Sequence, residues 1–284
     1  MDATIELADG RSVGFATYGR PDGTAVLWCH GGPGSRMEPA HLGAEAAEAG
    51  LLLIGIDRPG YGMSTPCPGR TIAGWVPEAL AVADEIGAAR FVAVGESTGG
   101  AYALALAALV PDRVLGVVAC CSMTDMRWEE ARRTMSRPHC HAVWDAPDRE
   151  SALAAAIDAH GEDGSKLKGG GMSEALAPSD AALFRDPVWG REAMAAFPAM
   201  FAHGLEGYTD DRLADGGGWV TFDVTTITCP VTVLHGEMDK ICDVVNARHT
   251  AEIVPNARLV LYNDLGHFSI ATKLIPTISD LLTR

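Results

Sequence analysis

The chain has 284 residues, 48% hydrophobic and 21% charged, an ordinary globular balance with enough length to bury a large core. Its net charge of −15 sets nucleic acid and anionic membrane surfaces aside as main partners, because both would repel it. The apolar runs fall short of a membrane span, the start MDATIELADG lacks a basic signal-peptide region, and seven cysteines show no framework spacing; a cytoplasmic protein with reduced thiols is expected.

Residues 5–7 and 13–16 alternate in polarity around Asp9-Gly10, which predicts a β-hairpin. Residues 25–30 are an apolar run that predicts a buried strand, ending at His30-Gly31-Gly32-Pro33-Gly34-Ser35. An alanine-rich helix is expected over 39–49, stopped by Gly50. A second buried strand over 51–56 runs into Asp57-Arg58-Pro59-Gly60-Tyr61-Gly62-Met63-Ser64, and a helix follows over 76–88. Residues 91–94 predict a third apolar strand and 99–110 a small-residue helix, with Gly95-Glu96-Ser97-Thr98-Gly99 between them. A further strand is expected over 114–121. Strands alternating with helices, the strands apolar throughout, predict a parallel sheet covered on both faces.

The rhythm changes after Met123. Helical pieces at 129–135, 151–159 and 191–201 are separated by Gly-rich breaks at 161–171 and 214–218, and no apolar strand occurs. The alternation resumes with a strand over 231–235, a helix over 244–254, a strand over 258–262 and a last helix to Leu282. The expected organisation is an α/β core at 1–122 and 226–284, interrupted by a helical cap, or lid, at 123–225.

The stretch from Phe91 to Val110 carries the chemistry. A serine between a strand end and a helix start sits in a strained backbone conformation, and Gly95 and Gly99 remove the Cβ atoms that would collide there. The helix start places free N–H groups and a partial positive charge beside Ser97. Other strand ends carry Glu237-Met238-Asp239 and Asp264-Leu265-Gly266-His267-Phe268, so a serine, an acid and a histidine occur in that chain order. A serine hydroxyl needs a base within hydrogen-bond reach, and an imidazole needs a carboxylate to fix its tautomer.

The motifs HGGPG, D-x-P-G-x-G-x-S, G-x-S-x-G-G, H-G-x-x-D and G-H-F, in order at strand ends, resemble the α/β-hydrolase superfamily over nearly the whole chain. The resemblance implies the α/β-hydrolase fold: a mostly parallel central sheet, helices on both faces and an inserted helical cap. It implies Ser97 as nucleophile, His267 as general base and Asp239 as the residue orienting it. Asp125 is a rival acid and Asp243 a weaker one. The oxyanion donors are expected at the backbone N–H groups of Thr98 and Gly32, and Gly31, Trp128 and Trp144 are candidate substrate contacts. His30 and Asp57 read as structural, and Glu96 as a solvent or structural contact. His139-Cys140-His141 lacks a distant second pair of ligands, and no phosphate-binding glycine motif is present, so neither a metal nor a cofactor is expected. Arg127, Arg132, Arg133 and Arg137 form a basic run that reads first as a solvated helix face and second as a feature favouring a negatively charged substrate.

Serine at the elbow supports acyl transfer from a small-molecule ester or related acyl compound to water. HGGPG also resembles the proline iminopeptidases, although GESTG and DRPG depart from that family's usual G-G-S-W-G and D-Q-R-G. A ligand-binding relative with little turnover is the reading from another class.

Overall fold

The computed structural model describes residues 1–135, 137–168 and 176–284. The end of the break at 161–171, from 169 on, lies outside the described residues. Among those described, eight strands form one sheet: β1 (Asp2–Glu6), β2 (Ser12–Gly19), β3 (Thr24–Cys29), β4 (Leu51–Ile56), β5 (Phe91–Glu96), β6 (Val114–Cys120), β7 (Val231–Gly236) and β8 (Ala257–Tyr262). The order across the sheet is β1-β2-β4-β3-β5-β6-β7-β8. β2 pairs antiparallel with β1 and β4; every later pairing is parallel. This is the α/β-hydrolase fold.

Helices cover both faces. The core carries α1 (Gly43–Glu48), α2 (Val76–Glu85) and α3 (Gly99–Leu109). Between β6 and β7 come α4 (Glu129–Thr134), α5 (Pro138–Trp144), α6 (Arg149–His160), α7 (Ser165–Lys168), α8 (Pro178–Phe184), α9 (Pro187–Met200) and α10 (Glu206–Gly216), and no strand among the described residues. α11 (Val245–Ile253) and α12 (Leu274–Leu282) complete the core. Successive strand residues point to opposite faces, and each face has its own apolar layer. Leu27, Ile54 and Ala93 pack with Trp75 and Leu104 on one side. Trp28, Leu53 and Val94 pack with Ile275 and Ile278 of α12 on the other. Burying each such side chain contributes about 1.5–3 kcal/mol, which is why the strands read as unbroken apolar runs.

Two elements differ from expectation in detail. The helix expected over 39–49 is a 3-10 turn at Glu38–Leu42 followed by the short α1. α2 stops at Glu85 because the chain turns at Gly87, whose φ is 75°. α5, α7, α8 and α10 were not anticipated. α10 buries Tyr208, Asp210, Asp211, Arg212 and Asp215, so its inward face is charged where helical periodicity demands apolar residues.

The chain passes from β4 back across β3 to β5, so the strand order reverses between β3 and β5. A crevice opens outside the carboxyl ends of strands at such a point. Here those ends carry His30-Gly31-Gly32 and the Ser97 turn.

Candidate active site

β5 delivers Ser97 with a φ of 51°, a left-handed conformation seldom taken by a residue with a side chain. Its N–H donates to the Cys120 carbonyl at 2.9 Å. A Cβ on Gly95 would overlap the Gly99 carbonyl, and one on Gly99 would overlap the Cys29 carbonyl. The glycines are thus needed for β5, α3 and β3 to cross so closely. Thr98 caps α3.

The loop after β3 is fastened from below. His30 is wholly buried; its Nε2 accepts the Arg58 N–H at 3.1 Å, which leaves Nδ1 to donate to the Gly31 carbonyl at 2.6 Å. Burial, then the Arg58 cation, pushes its pKa well down, so the ring is neutral and structural, as expected. The Gly31 N–H donates to Glu38 at 2.9 Å, and Trp28 Nε1 donates to the same carboxyl at 3.0 Å. Glu38 is in turn joined to Glu96 by a side-chain hydrogen bond. Burial and the neighbouring Glu38 charge push Glu96 well up, so the pair shares a proton. Glu96 therefore makes a structural contact while also lining the cavity. A Cβ on Gly32 would lie 2.8 Å from Thr98 Oγ1, so a side chain there would crowd the other residue expected to supply an oxyanion donor.

After β7 and β8 come the acid and the imidazole. Asp239 Oδ2 lies 2.7 Å from His267 Nδ1, and Asp239 Oδ1 accepts the N–H groups of Ile241 and Cys242 at 2.8 and 2.9 Å. Burial raises the Asp239 pKa, but the His267 charge and hydrogen bond outweigh it and hold the carboxyl below its ordinary value. Of the three acids the sequence left open, Asp239 is the one bonded to His267. Asp125 pairs with Arg127 at 2.5 Å and accepts the Trp219 N–H, in a separate groove. Asp243 accepts the Val245 N–H at the start of α11. The Ser97 hydroxyl is turned toward Cys242 Sγ, 4.0 Å away, not hydrogen-bonded to His267. Ser97 and His267 line one cavity of about 500 Å³, the size of a small-molecule site.

That cavity is mainly apolar. Phe184, Trp189, Phe197 and Phe201 of the insertion and Phe268 of the core line it, as do Gly31 and Gly32. Trp128 and Trp144 do not. Trp128 stacks on His249 with ring centroids 4.0 Å apart, and Trp144 Nε1 donates to Asp215 at 2.7 Å; both pack in an apolar cluster that the insertion forms with Ile241 and Cys242. Three of the four run arginines, Arg127, Arg132 and Arg133, pair with Asp125, Asp145 and Glu130, while Arg137 reaches the cavity. His139 lines the cavity, whereas His141 Nε2 meets the Met135 carbonyl, so the two rings diverge. Asp57 is a turn-former, accepting the N–H groups of Arg36 and Met63.

Several supporting groups leave no local sign in the sequence. Asp180 accepts the N–H groups of His267, Phe268 and Ser269 at 3.0, 3.1 and 2.8 Å, fixing the turn that carries the imidazole. Arg58 donates to the Gly31 carbonyl at 2.7 Å and pairs with Asp211 of α10 at 2.7 Å. Arg212 Nη2 donates to Thr98 Oγ1. Only proximity in the fold reveals these partners, since each pair is distant in the chain.

A family model described as the alpha/beta hydrolase fold matches residues 24–137. The chain is 26% identical over 267 residues to a 2-hydroxymuconate semialdehyde hydrolase of Pseudomonas putida, covering 91% of this chain and 86% of that protein. It is 24% identical to a proline iminopeptidase of Neisseria gonorrhoeae, covering 99% and 96%. The solved structure of an enol-lactonase from Burkholderia xenovorans superposes with a TM-score of 0.73 at 20% identity, covering 99% of this chain and all (100%) of that one, a likeness of fold.

Proposed function

We propose that this member of the α/β-hydrolase superfamily is a serine hydrolase that cleaves a small-molecule carboxylic ester, or a related acyl bond, through an acyl-enzyme. The observation that carries the reading is Ser97 in its left-handed turn, sharing a cavity with an imidazole already bonded to a buried carboxylate. In this reading the Ser97 hydroxyl rotates from Cys242 toward His267, which takes its proton through Nε2 as the oxygen attacks the acyl carbon. Asp239 keeps the Nδ1 proton in place and stabilises the imidazolium. The oxyanion is received by the N–H groups of Thr98 and Gly32, and losing either donor costs about 10²–10³ in rate. His267 then returns the proton to the leaving alcohol. Water deacylates Ser97 by the same route.

Hydrolysis of p-nitrophenyl acetate, butyrate and octanoate tests the reading. Ser97→Ala is expected to lower kcat roughly 10⁴–10⁶-fold; unchanged hydrolysis would refute it. The full-length likeness to a proline iminopeptidase favours a second reading, an aminopeptidase using the same serine. Cleavage of proline p-nitroanilide at a higher kcat/KM than any ester would select it.

A further inference from the structure

On the insertion's side, α5, α6 and α10 add polar groups to a mainly apolar cavity that also meets Glu38, Glu96, Glu192 and Arg137. Tyr208 is the hub. The His160 ring packs edge-on to it with centroids 4.9 Å apart, the Arg212 guanidinium carbon lies 5.4 Å from its centre, and His139 packs against His160 at 4.5 Å. His160 is 4% exposed and Arg212 3%, and both line the cavity. Neither His160 nitrogen has a hydrogen-bond partner, nor does Arg212 Nε. Arg212 Nη1 meets only the Met123 thioether, at 3.7 Å. A buried polar group left unpaired costs about 1–3 kcal/mol, and more when charged. None of these atoms is used by the acyl-transfer steps, so the orphaned donors are unexplained by them.

The charge around these groups is consistent. Burial, then Arg137, Arg212 and Lys166, pushes His160 down to about 4; burial, then His160, Arg137 and Arg212, pushes His139 down to about 3. Burial leads in both, and it penalises either sign of charge; the arginine charges that add to it are the part that favours an anion. The counter-charge to Arg212 is Asp215, 2.5 Å from Nη2, and burial raises that carboxyl to about 7. Burial lowers the Arg212 pKa, but Asp215, with Asp211 behind it, outweighs burial and raises it well above its ordinary value, so the guanidinium stays charged. The unpaired Arg212 Nε–H and the unpaired His160 ring, both against Tyr208, suit a small, singly charged acceptor, and a carboxylate has that form.

We infer that His160 and Arg212 form a subsite for a substrate carboxylate, one guanidinium away from the Ser97–Thr98 turn, and that the substrates are carboxylate-bearing esters or lactones. This rests on the serine-hydrolase reading for the reaction, but not for the binding.

The test compares kcat/KM for two matched pairs. Monomethyl glutarate against methyl pentanoate puts the charge on the acyl side; 4-carboxyphenyl butyrate against phenyl butyrate puts it on the leaving group. At least one charged ester is expected to exceed its neutral partner about tenfold, and His160→Phe and Arg212→Gln are expected to erase that preference. Neutral esters preferred in both pairs, or a preference unaltered in His160→Phe, would overturn the inference. His160→Phe keeps the ring shape and decides the matter if Arg212→Gln does not fold. If Ser97→Ala hydrolyses as fast as the unaltered protein, the serine-hydrolase reading fails by itself. Calorimetry with glutarate then decides the subsite: saturable binding weakened in His160→Phe supports it, and no binding overturns it.

Discussion

Asp239 and Asp125 show how much one hydrogen bond decides. Both follow a strand, but only Asp239 touches His267, while Asp125 is occupied by Arg127. Asp239→Asn is expected to lower kcat about 10⁴-fold by presenting the wrong tautomer partner to the imidazole. Asp125→Asn, breaking a half-exposed pair, should leave kcat within about threefold; steady-state kinetics on p-nitrophenyl butyrate distinguish them, and the reverse ranking would move the acid. In the proposed mechanism Asp180 is a positioning residue, holding the backbone of His267. Asp180→Ala leaves three N–H groups unpaired and should lower kcat about tenfold or more with little change in KM, whereas Asp180→Asn, whose amide oxygen can keep the Phe268 and Ser269 N–H groups while its NH2 faces the His267 N–H, should recover only part of that loss. At this scale the Asp239–His267 contact and the cavity that His267 shares with Ser97 were legible, because each residue stands in a motif at a strand end. Asp180, Glu38 and Arg212 were not, since their partners lie elsewhere in the chain and no local pattern records them. Trp128 and Trp144 were misplaced because composition names aromatic residues without saying which way they face.

α10 ties the insertion to the core through charge. Arg58 and Asp211 are both wholly buried, and Arg70, Tyr61 and Tyr102 complete the shell around the carboxylate at 2.7, 2.8 and 2.9 Å. Asp211→Asn would strip the counter-charge from two buried guanidinium groups and is expected to cost about 3–5 kcal/mol in denaturant unfolding. Burial raises the Asp211 pKa, but Arg58 and Arg70 outweigh it and hold it far below an ordinary carboxylate. Its folded pKa being below its unfolded one, about 3.9, the carboxylate stabilises the fold above that pH and the contribution is lost as pH falls below it. Acid titration followed by circular dichroism should therefore show a stability loss below about pH 4 that is smaller in Asp211→Asn. Helical periodicity could not find this element, since the pattern seeks apolar residues and α10 turns Asp211, Arg212 and Asp215 inward.

Across the whole molecule, the sheet was the most legible feature. Buried parallel strands need apolar residues on both faces, so their sequence is unambiguous, and the reversal between β3 and β5 follows from their order. The insertion's packing was not, because its helices bury scattered apolar residues beside small and charged ones, without the unbroken runs that mark the strands. The proposed division of labour is that the core holds the reacting groups and the insertion shapes the cavity above them. Its central claim is that Ser97 becomes covalently acylated. Labelling with a fluorophosphonate, followed by peptide mapping in a mass spectrometer, tests this most directly. One adduct on the Ser97 peptide, absent in Ser97→Ala, is the expected result; an unlabelled protein, or an adduct that persists in Ser97→Ala, would contradict it.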